Sequence, residues 1–289
     1  MDSVFNDILQ TASELVRIPS RNPPGEEKRC AEYIHSKLKE FGLETHLVKE
    51  PFSERPQVVA LARGSGKETI LLNGHMDTVP EGDPELWSAD PFSGSVKDGF
   101  LYGRGSVDMK SALAIMMHLP KVIDLQGNLL LTFAVGEERA EPGTSTLLSH
   151  IGRRFDLDVR YGLVLEPTAL SVATSQKGAA WFGIKVRGRA AHASTPEEGI
   201  NAIEMAAEVM NAVNGYAGKI SERKEKHGSA DPPTCAVTMI RGGFKENVVP
   251  DSCEVVIDRR LVPGEASSSV EQEIRSLLDA LSMDYELHR

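Results

Sequence analysis

The chain has little cysteine, no long apolar run and no excess of positive charge, and each shortage removes a class of protein. Its three cysteines, Cys30, Cys235 and Cys253, are odd in number, far apart and in no Cys-x-x-Cys spacing. That pattern argues against a disulfide framework and fits a reducing compartment, the cytoplasm. No apolar stretch approaches the roughly 20 residues of a membrane span. The N-terminal MDSVFNDILQTASELV is acidic and amphipathic rather than basic and then apolar, so no export signal is expected. A formal charge of -10 and a pI near 5.4 repel phosphate backbones, and no basic patch offsets them, which sets nucleic acid aside. Two cofactor motifs also fail. Gly103-Arg104-Gly105 is not followed by the third glycine of a dinucleotide fingerprint, and Gly66-Lys67 lacks the upstream glycine and following Ser or Thr of a phosphate loop. Internal repeats and low-complexity tracts are absent.

What remains is an ordinary globular composition, 40% hydrophobic over 289 residues. At roughly 150 residues per domain that length favours two domains. Val4, Phe5, Ile8, Leu9, Ala12, Leu15 and Val16 recur at helical spacing until Pro19, and a second helix with Ala31, Ile34, Leu38 and Phe41 on its apolar face follows the Asn22-Pro23-Pro24-Gly25 turn, with Gly42 as its cap. Short apolar runs come next: QVVALA, TILLNGH, FLYG, LLLTFAV and YGLVLEP. Each is bounded by Gly, Pro or charge, as strands are. Helices are expected at MKSALAIMMHLPKVI and GTSTLLSHIGRRF, so strands apolar along their whole length alternate with helices, which predicts an α/β sheet covered on both faces.

From about Gly178 the pattern becomes strand, helix, strand, strand, helix, strand: WFGIKVRGRA, EEGINAIEMAAEVMNAV, TCAVTMIRGG, CEVVIDRRLV, SSSVEQEIRSLLDAL and DYELH. This is the split βαβ, ferredoxin-like order, a four-stranded sheet with two helices on one face. The polar stretch SERKEKHGSADPP, residues 221 to 233, is expected to be an exposed loop. The domains are therefore placed at residues 1–175 and 176–289, an α/β unit followed by a ferredoxin-like one.

The residues that carry chemistry sit just after apolar strands, at the carboxyl edge where open α/β sheets build their sites. Asn73-Gly74-His75-Met76-Asp77 follows TILL, Gly136-Glu137-Glu138 follows LLLTFAV, Glu166-Pro167 follows YGLVL, and Asp108 follows the Gly-rich LYGRGSV and opens a helix. In His75-x-Asp77 both side chains lie on one side of an extended backbone. That suits an imidazole metal ligand whose other nitrogen is held by a carboxylate. Adjacent Glu137 and Glu138 point in different directions, so one can bind metal while the other serves as general base. For an isolated Glu-Glu pair a solvated acidic turn is the stronger reading. Glu166, at the end of an apolar strand, calls for a cation or a donor.

The segment NGHMDTVPEGDPELWSADPFSGSVKDGFLYGRGSVDMKSALAIMM resembles the metal-binding core of the zinc-dependent acetylornithine deacetylase, succinyl-diaminopimelate desuccinylase, aminoacylase and carboxypeptidase G family, with GEER and LEPT where its next acidic motifs belong. The resemblance implies a catalytic domain with two zinc ions, cobalt being a substitute, and a lid that also dimerises. His75 and Glu166 would hold one zinc, Glu138 the other, and Asp108 would bridge them across a cis Asp108-Met109 bond. Asp77 would orient His75, and Glu137 would be the general base. In the lid, Ala191-His192-Ala193-Ser194 matches the motif whose histidine stabilises the developing oxyanion, often in the partner subunit's site, and Asn247 and Arg260 match residues that bind a substrate carboxylate. A guanidinium fork suits that task. Arg259 is expected to face the opposite way.

The implied activity is hydrolysis of an amide in an N-acyl amino acid or short peptide. The family resumes its catalytic domain after the lid with a Gly-rich acidic motif and a terminal histidine for the second zinc. Here Tyr285-Glu286-Leu287-His288-Arg289 falls in what should be the last lid strand, so the chain is expected to lack that segment and the second metal site to be weakened. Part of the core sheet would then be unpaired. Two other readings stand beside the deacylase: a catalytically impaired dimerisation or binding module on the same fold, and a di-zinc dipeptidase or aminopeptidase.

Overall fold

A computed structural model of the chain describes residues 2–223 and 231–289, which form two units divided between Ser171 and Val172. The first unit begins with α1 (Asp2–Val16) and α2 (Lys28–Glu40), then β1 (Glu44–Val48), β2 (Gln57–Ala62) and β3 (Glu68–His75). A hairpin of β4 (Ser95–Lys97) and β5 (Phe100–Tyr102) precedes a π-type turn over Ser106–Lys110 and α3 (Ser111–Val122). The unit ends with β6 (Asn128–Ala134), α4 (Gly143–Arg154) and β7 (Asp158–Val164). The sheet order is β1-β2-β6-β3-β7, with β3 parallel to both β6 and β7 and the other pairs antiparallel.

Alternation along the strands divides the core. Val58 and Ala60 of β2, with Leu129, Leu131 and Phe133 of β6, face Leu15, Ile34, Leu38, Leu113 and Met117 of the first three helices. Their neighbours Val59, Leu61, Leu130 and Ala134 face Leu147 and Ile151 of α4. β2 and β6 are thus buried on both faces, as their unbroken apolar runs predict. Two expectations need correction. β7 is an edge strand, paired only with β3 among the described residues, and its apolar side chains stay exposed, Tyr161 by 68% and Leu163 by 50%. The run FLYG lies in the separate β4–β5 hairpin rather than the main sheet, because a three-residue strand beside Gly99 turns back on its neighbour. The strand β1 is half polar, ETHLV, and gives no continuous apolar signal.

The second unit contains β8 (Gly178–Arg187), β9 (Ala191–His192), α5 (Ala202–Ser221), β10 (Thr234–Gly242), β11 (Val248–Val249), β12 (Ser252–Leu261), α6 (Ser267–Asp279) and β13 (Tyr285–His288). The antiparallel order β10-β12-β8-β13 is that of a ferredoxin-like split βαβ sheet. Phe182, Ile184 and Val186 of β8 and Val255 and Ile257 of β12 pack on Val209 and Val213 of α5 and Ile274 and Leu278 of α6. α5 starts later than the apolar pattern suggests, since the Asn201 side chain accepts from Ile203 N at 3.0 Å and so caps the helix there. The same alternation buries Arg259 and exposes Arg260. Arg259 donates to Glu265 (2.7 Å) and to the Tyr216 hydroxyl (3.1 Å), which satisfies its charge inside the core. Residues 224–230 of the polar stretch expected as a loop lie outside the described residues. No helix among the described residues is long and apolar enough to cross a membrane, and all three cysteines are free and buried.

Candidate metal centre

The parallel register of β6, β3 and β7 brings the carboxyl ends of three strands side by side. His75 pairs with Ala134, and Asn73 with Val164, so the segments that carry Glu137, Glu138 and Glu166 leave the sheet on either side of His75. The π-type turn adds Asp108, whose backbone is non-helical (φ -120, ψ 98) and whose bond to Met109 is cis. His75 Nε2 lies 3.0 Å from Asp108 Oδ1 and 3.8 Å from Glu166 Oε1. These three side chains form the one His/Asp/Glu cluster with metal-ligand spacing among the described residues, with donor atoms all within 4.8 Å of one another. Glu138 stands outside that trio. Its Oε1 accepts from Val79 N at 3.3 Å, and with Asp108, Val79 and Arg104 it lines a cavity of about 280 Å³.

The His75 ring is fixed by its own strand end. Nδ1 donates to the Asp77 main-chain oxygen at 2.9 Å, which leaves Nε2 toward the carboxylates, while the nearer Asp77 carboxylate oxygen is 3.5 Å from Nδ1. The fully buried Asp77 carboxylate accepts instead from Glu137 N (3.2 Å), Glu138 N (3.1 Å) and Asn22 Nδ2 (3.1 Å). It therefore pins the short 3-10 turn Glu137–Arg139, leaving the Glu137 side chain exposed. Sequence reasoning gave Asp77 the role of holding the imidazole by its carboxylate; the main-chain oxygen makes the shorter bond.

The electrostatics are those of carboxylates held closer than they tolerate. Burial, with the charges of Asp108 and Glu137, raises Glu166 to about 7 against the pull of His75, and burial also raises Glu138. Burial works to lower His75, but hydrogen bonds with Asp108 and Asp77 overcome it and push the imidazole up to about 11; the same bond holds Asp108 low. One imidazole and two carboxylates converging on a point, each deprotonated form favoured by a cation there, are the donor set of a borderline divalent metal such as zinc.

In the second unit, β9 pairs with β11, and Val248 lies opposite His192, so His192 and Asn247 are brought together. Ser194 N donates to His192 Nδ1 at 3.1 Å. That bond puts the proton of a neutral ring on Nε2. Arg260 is engaged two-fold by Asp258, Nε to Oδ1 at 2.8 Å and Nη2 to Oδ2 at 3.0 Å. Asn22, Glu141 and Arg104 are contributors that sequence reasoning did not single out. Asn22 is silent because it occurs in an Asn-Pro-Pro-Gly turn, and Arg104 because it belongs to a glycine-rich stretch weighed only as a cofactor motif.

A histidine and two carboxylates at the carboxyl edge of a mixed α/β sheet, with a further acidic pair pinned beside them, define a metal-dependent hydrolase. Residues 174–286 match the M20 peptidase dimerisation domain. Over 95% of its length the chain is 31% identical to succinyl-diaminopimelate desuccinylase 2 of Shewanella loihica, covering 73% of that protein, and 30% identical to acetylornithine deacetylase of Vibrio campbellii, covering 71%. Human carnosine dipeptidase 1 shares the fold at a TM-score of 0.76 and 20% identity, over 99% of this chain and 77% of that one. The chain belongs to the M20 family of metallohydrolases.

Proposed function

We propose that the protein hydrolyses the amide bond of an N-acyl amino acid or short peptide, with zinc as its metal and Glu137 as general base. The observation that carries this reading is the convergence of His75, Asp108 and Glu166 beside a turn whose two glutamates hang from the Asp77 carboxylate. The first site takes those three donors; the second takes Asp108 and Glu138 and is the weaker, since Glu138 stands outside the trio. When bound, zinc supplies Lewis acidity to the scissile carbonyl and acidifies water.

The chain's own residues do the rest. Glu137, exposed to solvent, removes a proton from the attacking water as the C–O bond forms, then delivers it to the amine nitrogen as the C–N bond breaks. Asp77 holds the Glu137 main chain and the His75 loop in one arrangement, so base and ligand stay in register. His192, with its proton on Nε2, is assigned to the oxyanion, and Asn247 and Arg260 to the substrate carboxylate, for which Arg260 must exchange its bond to Asp258. The dimerisation-domain match supports a homodimer through the second unit, and the buried cysteines and absence of a long apolar helix among the described residues are compatible with a cytoplasmic enzyme.

The test is Glu137→Gln in the zinc-loaded protein with a panel of N-acetyl and N-succinyl amino acids and dipeptides. Turnover should fall by at least about a hundredfold with zinc content unchanged. Undiminished activity would remove Glu137 as the base. Absence of turnover in the zinc-loaded wild-type chain on every substrate would favour a binding or dimerisation module.

A further inference from the structure

The Asp77 carboxylate carries the weight of the centre, and something must hold it. Its two oxygens fix Glu137 N and Glu138 N, so a small rotation would release the turn. Among the described residues the His75 ring approaches that carboxylate no closer than 3.5 Å, and the side chain that donates to it at 3.1 Å is Asn22, itself 2% exposed. Asn22 Nδ2 reaches Asp77 Oδ2 at 3.1 Å and Glu141 Oε2 at 3.3 Å, bridging two carboxylates with one amide. Glu141 is held in turn by Arg55 Nη2 at 2.7 Å, and Arg55 grips the fully buried Glu27 with Nε (2.7 Å) and Nη2. Two glycines at positive φ make room for this chain. A Cβ on Gly25 (φ +104) would meet Arg55 Nε at 2.6 Å, and one on Gly136 (φ +80) would meet Glu141 Oε2 at 2.6 Å.

We propose that Asn22 and Glu141, anchored by Arg55 and Glu27, are positioning residues that lock the Asp77 carboxylate and through it both His75 and the Glu137–Glu138 turn. The physical reason is charge. Three buried or half-buried carboxylates, Asp77, Glu141 and Glu27, share a single guanidinium and a single amide, and each of the two donor groups is held between two carboxylates at once, so none can turn without breaking a bond to another. Such a network, fully satisfied, has one low-energy arrangement. Outer partners of this kind set ligand direction without touching the metal.

The inference rests on the metal-centre reading, and its test reads metal affinity rather than turnover. Zinc affinity of the full chain is measured by chelator competition for wild type, Asn22→Ala, Glu141→Ala and the double variant, with the cobalt(II) visible spectrum as a second readout and circular dichroism for folding. Asn22→Ala should bind zinc about 10–100-fold more weakly and show an altered cobalt spectrum. Glu141→Ala should lose several-fold, and the double variant should be no weaker than Asn22→Ala, because both act through one carboxylate. Wild-type affinity with an unchanged spectrum in Asn22→Ala overturns the proposal, and so do losses that multiply in the double variant. If Asn22→Ala does not fold, Asn22→Asp, which keeps the shape but replaces the donor with a charge facing Asp77, must lose at least as much. A wild-type chain that binds zinc and hydrolyses nothing defeats the hydrolase reading alone; one that binds no zinc defeats both.

Discussion

Zinc affinity should depend on pH far more steeply than ordinary side chains allow. In the metal-free chain Glu166 titrates at about 7 and His75 at about 11. A cation that takes the His75 Nε2 lone pair and the Glu166 carboxylate must displace whatever protons they carry. At pH 6 that is nearly two protons, and at pH 8 close to one. Raising the pH therefore strengthens binding, by roughly tenfold per unit for His75 throughout and by a further factor of about ten in total as Glu166 ionises between pH 6 and 8. The product is roughly a thousandfold, or about 4 kcal/mol at 1.36 kcal/mol per decade. A histidine near 6.5 and a glutamate near 4.3 would give only about fourfold over the same range. Isothermal titration in buffers of different ionisation enthalpy counts the protons directly, and chelator competition gives the affinity. A change below about tenfold between pH 6 and 8, or one released proton at pH 6, would refute the claim that these side chains crowd one another before metal arrives.

Two further outcomes concern the scaffold. Replacing Arg259 with Met removes the buried guanidinium from Glu265 and the Tyr216 hydroxyl, leaving Glu265 with Val262 N and the more distant Arg223, and should cost about 3 kcal/mol in denaturant unfolding; a loss under 1 kcal/mol would mean the apolar replacement repacks. Cys30, Cys235 and Cys253 are buried, and burial raises Cys30 and Cys235 to about 11, so a thiol reagent at pH 7.5 should label none in the native protein and all three in denaturant.

How much of this was legible in the sequence follows from where each residue sits. Strand-end residues announce themselves. An apolar run followed by His75, by Glu137-Glu138 or by Glu166 puts a polar side chain where a buried strand meets solvent, and parallel pairing of β3 with β6 and β7 then sets those ends side by side. The ferredoxin-like unit was equally readable, because period-two alternation in β8 and β12 and helical spacing in α5 and α6 act within single elements. The hairpin of FLYG was not, and although an unpaired part of the core sheet was expected, that β7 would be the edge was not readable, since an apolar run of three to seven residues records burial propensity and not which neighbour it finds.

The relay behind Asp77 shows the deeper limit. Asn22 is 55 residues from Asp77 and 119 from Glu141, and Arg55 is 86 from Glu141, so no spacing links them. Each looks dispensable in its own surroundings: an amide in a proline turn, an arginine in a polar loop, a glutamate before Pro142. Only the fold shows that the three are linked, and that Arg55 also meets a fourth, Glu27, whose complete burial would be untenable without that guanidinium. A site's ligands are chosen by what they present to the metal, which leaves a local mark, whereas the groups that hold the ligands are chosen by what they present to one another, which leaves none. If that division holds, substitutions in the relay should change how tightly zinc is held without changing which donors hold it, and the cobalt spectrum should shift toward a less ordered site rather than toward a new ligand set.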